Sequence, residues 1–475
     1  MIRALFLAAS ALALASCAAG PPPEVATPAP ELPSAFLFAP GSASETQLAE
    51  LLPRSDAAFA MLAARALEGS PTLGEALARV DQARAGASRA GAERLPSLGV
   101  NAAVEGRRSN PAQFGGNLPS GIPFDTEQVA YSANVTARWD PDIFGRLRAQ
   151  ERAALARIDA ASASARAVRN ALLAEIASSV IDWRTLSARQ AEIESDIEAA
   201  DQLARLSSEL EEAGLAPGFD RIRAEAAANT SRSRLAALES ERARMIGRLV
   251  TLTAQDAGLV REALASGDAA APLAAAPPTL PSALLANRPD VLAAAATLAT
   301  EDAELAATAR RRFPVFDLSA AIGLLAFSPS DLFDEDSVVG SLAAAIAGPL
   351  FDFGRIAAEI DGAAAEKQAA FQAYRGAVYT ALGDAEAAYG LVAAADSEAA
   401  AAQAEADSLE RAAALADTRL RAGLADFLTV LEARRAADAS GERAAAAIGR
   451  ARRARVLLWQ ALGGDDQPMT RSTSQ

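Results

Sequence analysis

The sequence predicts a mainly α-helical chain with a smaller β-barrel part, assembled from two copies of one unit. Phe144-Gly145-Arg146 recurs as Phe353-Gly354-Arg355, 209 residues later. Ala213-Gly214-Leu215-Ala216 recurs as Ala422-Gly423-Leu424-Ala425 at the same displacement. A segment that keeps its length between two matched points is expected of a long helix. Before each Phe-Gly-Arg sequence the apolar period changes to two, which is typical of strands.

The helical part is predicted from two long segments in each copy. Residues 146–213 contain neither glycine nor proline, and Leu172, Ile176 and Val180 lie at helical spacing. At about 1.5 Å per residue this helix would be about 100 Å long, and its many charged side chains exclude burial in lipid. We therefore expect it to stand in water beside partner helices. The predicted long helices are 146–213, 219–250, 355–422 and 426–461.

The β part is predicted from four segments of alternating apolar and polar residues. From Tyr131 to Trp139 the odd positions are apolar and those between them polar, so one face meets lipid or a core and the other meets water. Each copy supplies one hairpin, with joining loops at 109–128 and 327–336. The longer first loop explains a surplus of nine residues in the first copy. The predicted strands are 97–108, 129–140, 315–326 and 337–348.

Four strands cannot close a barrel, and lipid does not tolerate an open strand edge. The chain is therefore expected to borrow strands from copies of itself. Two copies would give eight strands and a barrel filled by its own side chains, whereas three would give twelve and room for a lumen. Six aromatic residues suit either a membrane interface or ordinary packing: Tyr131, Trp139, Phe313, Phe316, Phe351 and Phe353.

Four glycines of the second copy share one heptad phase within a predicted helix: Gly362, Gly376, Gly383 and Gly390, with Ala369 in the remaining place. Glycine costs about 1 kcal/mol per site in a helix interior, so we interpret this stripe as a helix-packing seam against a neighbouring helix. The alternative is harmless glycine in a long helix.

The N-terminal residues have the features of a bacterial export signal. Arg3 provides the positive charge, Ala4–Leu14 is apolar and too short to span a bilayer, and small residues follow. Leu14-Ala15-Ser16-Cys17 resembles a lipobox, in which Cys17 becomes the lipidated first residue. Ala18 rather than aspartate then suggests the outer membrane as destination. The alternative is an ordinary signal peptide that contains a cysteine.

These observations divide the sequence into six parts. They are a lipoprotein signal peptide (1–16), a lipidated N-terminal tether (17–55), the first repeat (56–250), a Pro/Ala-rich connecting segment (251–279), the second repeat (280–463) and a C-terminal tail (464–475).

The composition excludes several classes of function. With no histidine and a single cysteine, the chain cannot form a Ser-His-Asp triad, a Cys-His pair or a His/Cys zinc site. The formal net charge of −15 disfavours nucleic acid as a partner. Catalysis by carboxylates remains formally open, but the acids follow helical charge patterns. We expect no enzyme, no metal and no cofactor other than the covalent lipid on Cys17.

The arrangement of helix, hairpin and long helix pair, present twice, resembles the TolC-type outer-membrane efflux proteins. Leu280–Leu285, Asn287–Val291 and Cys17 are similar to the NodT-type lipoprotein branch that serves resistance-nodulation-division pumps. The resemblance covers nearly the whole mature chain. It implies a homotrimer with a 12-stranded transmembrane barrel, continued by a periplasmic α-helical barrel that closes at its tip.

The resemblance also implies a function and partners. The chain would be the passive outer-membrane exit duct of a tripartite system, working with a periplasmic adaptor and an inner-membrane resistance-nodulation-division pump. The cargo would be drugs or other small amphiphiles. The alternatives are a type I protein-secretion duct, a heavy-metal efflux channel and, more distantly, a structural coiled-coil lipoprotein.

Two sets of site residues follow from the resemblance at the helix tips. A periplasmic gate would use Asp220, Asp426, Thr429 and Glu432, although Glu432 stands where the family usually has aspartate. Ala425 also replaces a basic gate partner of some members. Acids at an exposed turn could equally serve solubility. The second set would contact the adaptor: Gly214, Leu215, Gly423 and Leu424. Both glycines could instead simply end helices.

Overall fold

The computed structural model describes residues 24–40, 47–110, 127–214, 217–267 and 272–464. Within these ranges the protein is mainly helical, with one small antiparallel sheet. The helices are α1 (Ala57–Gly69), α2 (Pro71–Ala92), α3 (Arg146–Glu212), α4 (Gly218–Thr253), α5 (Ala257–Ala265), α6 (Pro281–Asn287), α7 (Pro289–Ala309), α8 (Arg355–Arg421) and α9 (Phe427–Ala461). The strands are β1 (Ser97–Arg108), β2 (Glu127–Trp139), β3 (Val315–Ala326) and β4 (Val338–Ala347).

None of the helices in the described ranges combines the length and the apolar character needed to cross a membrane.

The two longest helices begin at an aspartate that satisfies their first amides. Asp142 accepts hydrogen bonds from the backbone amides of Leu147 (2.9 Å) and Arg148 (2.8 Å) at the start of α3. Asp352 accepts one from Ile356 (2.9 Å) at the start of α8. Because the first amides of a helix have no partner within it, these carboxylates fix where the long helices start.

The four strands form a single sheet in the order β1-β2-β3-β4. Val100 pairs with Val135, and Val135 with Ile322, so the apolar residues of neighbouring strands share one face. Pairing of β2 with β3 joins the two predicted hairpins. At this junction, a Cβ added at Gly323 would lie 2.2 Å from the carbonyl oxygen of Ala133. The close approach therefore requires glycine at position 323.

The chain divides into two compact units that do not follow the sequence repeats. The first includes Val80–Ala160 and Ala295–Ala373, and therefore all four strands. The second includes Ala29–Arg79, Ala161–Ala294 and Tyr374–Gln475. Each unit takes residues from both copies, so the repeats describe the sequence while the units describe the packing.

The second unit contains the largest hydrophobic core, called the main core here. It brings together side chains of α1, α3, α8 and α9 with those of the shorter helices. Its fully buried large side chains include Trp459, Tyr389, Ile176, Leu249, Leu264 and Leu284. Burial of a leucine or isoleucine side chain of this kind stabilises a fold by about 1.5–3 kcal/mol.

Arg288, from the Asn287–Val291 sequence, lies at the edge of the main core and is only 8% exposed. Its guanidinium donates to Asp290 (2.9 Å, Nε to Oδ1), to Asp384 (2.8 Å, Nη2 to Oδ2) and to the carbonyl oxygen of Ala461 (3.2 Å). Burial opposes the charge, but the hydrogen bonds to the two carboxylates outweigh it and raise the pKa of Arg288. One side chain thus joins the α6–α7 connection to α8 and the end of α9.

The described part of the predicted tether packs against α8. Phe36 is buried and its ring lies 5.7 Å from that of Tyr389. The amides of Leu37 and Phe38 each donate to a carboxylate oxygen of Glu386, both at 3.0 Å. Residues Phe36–Phe38 are called the strap below, because two charge-assisted hydrogen bonds and a buried ring fasten them to the helix.

Candidate functional site: the helix tips

Each tip is a short turn in which glycine ends the long helix. Gly214 and Gly423 both have φ +70°, a conformation that strains other residues. The amide of Gly423 donates to Leu420 O (2.9 Å) and that of Leu424 to Arg419 O (2.8 Å), which is the Schellman pattern. The Gly214 amide makes the matching bond to Glu211 O (2.9 Å). At both tips, glycine is therefore required by the left-handed backbone conformation that ends the helix.

The adaptor-contact residues proposed from sequence have different surroundings. A Cβ added at Gly214 or Gly423 would meet no atom of the described chain within 4 Å, so both turns are open. Leu424 is 68% exposed, so its side chain is available to a partner. Leu215 lies outside the described residues.

The proposed gate residues are divided between the two tips. Asp426 caps α9 by accepting a hydrogen bond from the Thr429 amide at 2.7 Å. Hydrogen bonds from the Thr429 side chain and then its backbone hold the pKa of Asp426 below its usual range. Thr429 and Glu432 are exposed on the first turns of α9, and Asp220 is half-buried in the first turn of α4. The structure thus brings Asp426 and Thr429 together and gives Asp426 a local capping role.

An ion pair that sequence reasoning missed crosses the first tip. Arg221 of α4 binds Glu211 of α3 (3.0 Å) and Glu225 one turn on (2.7 Å). In the sequence, the acidic Glu211 and the basic Arg221 lie on opposite sides of the turn, and this placement could have predicted the ion pair. Phe219 at the same tip packs under the guanidinium of Arg223, 5.4 Å from the ring centroid. Exposed contacts of this kind contribute about 1 kcal/mol or less.

A small hydrophobic cluster, called the tip core here, lies behind the two turns. It consists mainly of alanines, with few larger side chains, so it buries little apolar area. Its buried members are Ala200, Leu203, Ala224, Ala227, Ala228, Ala416, Val430 and Leu431.

Three glycines of the predicted seam face away from the rest of the chain. A Cβ at Gly362, Gly376 or Gly383 would meet no atom of the described residues within 4 Å. At Gly390 it would lie 3.4 Å from the ring of Phe38 in the strap. Hence no helix of the described chain packs on the first three, while the strap covers the fourth.

The sheet presents an apolar surface to its surroundings. Val100, Ile322 and Leu342 are 82%, 64% and 85% exposed, and the strand register places them on one face. Phe144 stacks on Phe313 with 4.8 Å between ring centroids, so at least one predicted interface aromatic also packs internally.

Two further predictions from the sequence concern the lipidated cysteine and metal binding. Cys17 lies outside the described residues. Within those described, no group of three or more His, Cys, Asp or Glu residues is arranged to hold a metal ion.

The chain is similar to known proteins along most of its length. The profile of the family described as outer membrane efflux protein matches residues 62–255 and 280–464. The pyoverdine export outer membrane protein OpmQ of Pseudomonas aeruginosa is 30% identical over 403 residues, covering 84% of this chain and 84% of that protein. Nodulation protein T of Rhizobium leguminosarum bv. viciae is 26% identical over 467 residues, covering 95% and 92%. The outer-membrane channel OprN superposes with a TM-score of 0.82 at 25% identity, over 94% of this chain and 100% of that one.

Proposed function

The chain belongs to the outer membrane efflux protein family, as the resemblance predicted, and on this premise we propose that it is the exit duct of a tripartite efflux system. Its fold is that of the TolC-like channels. The duct passes drugs or other small amphiphiles outward without bond chemistry of its own. An inner-membrane resistance-nodulation-division pump supplies the energy, and a periplasmic adaptor joins the two.

The observation that carries this proposal is the sheet. Its four strands share one exposed apolar face, which suits contact with lipid. β1 and β4 are its outer strands, and each has an edge without a partner strand among the described residues. Because lipid excludes unpaired strand edges, further copies must continue the sheet. Three copies would give twelve strands and room for a lumen, whereas two would give a barrel filled by its own side chains. We therefore propose a homotrimer with a 12-stranded barrel in the outer membrane.

The exposed glycines support the same assembly. Gly362, Gly376 and Gly383 form a smooth stripe on α8 that no described residue of the same chain covers. In the proposed trimer this stripe packs against a helix of the neighbouring protomer, where the absence of side chains allows close approach. At Gly390, Phe38 of the strap covers the stripe and would itself contact the neighbouring protomer.

The tips supply the gate and the adaptor contact in this proposal. Asp220, Asp426, Thr429 and Glu432 from three protomers narrow the pore, with Asp426 also capping α9. Gly214, Leu215, Gly423 and Leu424 form the knobs between which the adaptor inserts. The lipid on Cys17 anchors the N terminus in the outer membrane, and the strap is the part of the tether that binds α8.

Site-specific crosslinking in living cells tests this function. A photo-crosslinking residue at Leu424 should capture a resistance-nodulation-division adaptor, because this side chain projects from the tip into solvent. Leu391, which is 50% exposed on the same helix pair but away from the tip, is the matched control and should not capture it. The captured proteins are identified by mass spectrometry. Capture of a secretion adaptor would favour the type I duct, and no capture at either position would contradict the efflux role.

A further inference from the structure

The two outer strands of the sheet, β1 and β4, each have one edge without a partner strand among the described residues. In the homotrimer proposed above, on which the following contact depends, β4 of one copy lies beside β1 of the next. The chain already contains a contact of this kind, because β2 of the first repeat pairs with β3 of the second. This internal joint is a template for the joint between copies.

The two hairpins pair in equivalent registers. Ser97 of β1 faces Arg138 of β2, and the residues 218 and 209 positions further along, Val315 of β3 and Ala347 of β4, also face each other. The same displacements convert the other pairs of the first hairpin into those of the second along all of β4. The repeats are therefore equivalent in strand pairing as well as in sequence.

These displacements give a register for the joint between copies. Inside the chain, the residues from Tyr131 to Trp139 pair with those from Ala326 back to Leu318. Moving β2 forward by 209 positions and β3 back by 218 places residues 340–348 of one copy antiparallel to residues 100–108 of the next. The even-numbered residues of both strands then lie together on the exposed apolar face, so that face continues from copy to copy.

The side chains along the two edges are complementary in size in this register. On the apolar face each larger residue of one strand faces a small residue of the other: Val100 faces Gly348, Ala102 faces Ile346, Val104 faces Ala344 and Gly106 faces Leu342. A slip of two residues would instead bring Val104 against Leu342 or Ile346 and would place small residues opposite each other. Facing positions that alternate large and small side chains avoid both the clash and the gap.

The ends of the same strands show an apolar contact that the single chain leaves incomplete. At the internal joint, Phe144 after β2 stacks on Phe313 before β3, with 4.8 Å between ring centroids. Their counterparts at the outer edges are Phe353 after β4 and Leu95 before β1. Phe353 is 92% exposed and Leu95 is 66% exposed, whereas Phe144 is 38% exposed. The contact made inside the chain is therefore open at both of its outer ends.

We propose that β4 of each copy pairs with β1 of the next so that Ile346 faces Ala102, and that Phe353 packs on Leu95 of that next copy. The partner of this surface is a second copy of the chain in one register. The contact covers Phe353 and pairs the hydrogen-bonding groups of both outer strands. Because lipid offers no hydrogen bonds to a strand edge, a slipped register that leaves groups unpaired costs more in the membrane than in water.

Disulfide crosslinking of the full-length protein in its membrane tests the register. Ala102→Cys combined with Ile346→Cys places two thiols opposite each other across the joint and should give linked dimers and trimers on a non-reducing gel. The two positions lie on opposite outer strands of the sheet, so a disulfide between them joins different copies. Cys17 is the only cysteine of the chain, and Ala102→Cys alone gives the background that it contributes.

Two further cysteine pairs make the result specific. Ala137→Cys with Ala320→Cys is the internal equivalent, a facing pair in the structure, and it should close within one copy, which a thiol label added after denaturation measures. Ala102→Cys with Leu342→Cys is four residues out of register and should give only background.

The outcomes separate the register from the assembly. Linkage of the out-of-register pair would overturn the register, as would absence of linkage at Ile346 when the internal pair closes and light scattering shows a trimer. Both results would leave the proposed homotrimer standing. Light scattering that shows only single copies would overturn the homotrimer itself and, with it, this contact.

A swap of side-chain size gives a second test without cysteine. Gly106→Leu leaves the single chain intact, since a Cβ there meets no atom of the described residues within 4 Å, but it sets a leucine against Leu342 of the neighbouring copy. Trimer dissociation should increase about tenfold per contact. Adding Leu342→Ala should reverse most of this increase, whereas adding Ile346→Ala, at a position that faces Ala102, should not. Failure of Leu342→Ala to restore the trimer would contradict the pairing.

Discussion

The main core and the tip core are built from different side chains. The main core buries Trp459, Tyr389 and several leucines completely, whereas the tip core consists mostly of alanines. Since stabilisation by burial scales with apolar area, the large side chains of the main core contribute more than the alanines that predominate at the tip. We therefore expect the main core to be the more stable part of this unit, and the tip to be the part that opens at the lower free-energy cost.

The arginines follow the same division. Arg288 is buried and satisfied by two carboxylates and a carbonyl oxygen, so removal of Asp290 would leave its buried Nε without an acceptor. Arg221 at the tip makes two ion pairs that water can replace. The Asn287–Val291 sequence, recognised first as a family motif, thus has a structural role in fixing the main core.

The largest effect is expected in the main core. Trp459→Ala removes a side chain that is 0% exposed and should reduce the free energy of unfolding by about 3–5 kcal/mol, through lost burial and a cavity. Denaturant unfolding of the purified protein measures it. Leu457→Ala, at a position 48% exposed on the same helix, is the control and should cost about 1 kcal/mol or less. Equal effects at both positions would remove the distinction between core and surface.

An intermediate effect is expected on the outer side of α8. Gly383→Leu leaves the fold of the protomer intact, because nothing in the described chain lies within 4 Å of its Cβ, but it overfills the proposed seam. Assembly should weaken by about 1–3 kcal/mol, the usual cost of added volume at a packed contact. Light scattering and thermal melting in detergent report the change.

The control for the seam is Gly247→Leu, since Gly247 lies on α4 with equally open space around it. It should leave the oligomer unchanged. An unaltered mass and melting temperature in Gly383→Leu would contradict a glycine seam between protomers.

The smallest effect is expected at the tip. Gly423→Ala forces alanine into φ +70° and should destabilise the turn by about 1 kcal/mol. Amide exchange at the end of α8 should then quicken roughly fivefold while the melting temperature hardly moves, because the main core is untouched. Gly247→Ala, in a helix interior, should instead stabilise α4 by up to about 1 kcal/mol. Faster exchange throughout α8 after Gly423→Ala would mean that the tip and the main core open together.

The sequence was most informative where a local pattern decides the structure. Alternation from Tyr131 to Trp139 predicts both a strand and its apolar face, and the observed register aligns that face with the other three strands. Gly214 and Gly423 likewise mark the ends of α3 and α8, since the backbone there needs φ +70°. These features depend on neighbours in the chain, which a single sequence displays.

Contacts between distant segments could not be predicted in this way. Asp196 looks like an ordinary acid of a solvated helix, and only the packing of α3 against α4 brings it to Ser231 and Arg234. Glu386 gives no sign that it binds the amides of Leu37 and Phe38. The gate and adaptor assignments remain predictions, because they depend on other protomers and partners.

The equal lengths of α3 and α8 restrict how this protein can evolve. Each has 67 residues, running from a Phe-Gly-Arg sequence to a glycine with φ +70°. Inserting one residue into either helix would turn everything beyond it by about 100° and move its tip by about 1.5 Å relative to the other. Viable length changes in the helices must therefore occur in both copies together, while the loops between paired strands can change one at a time.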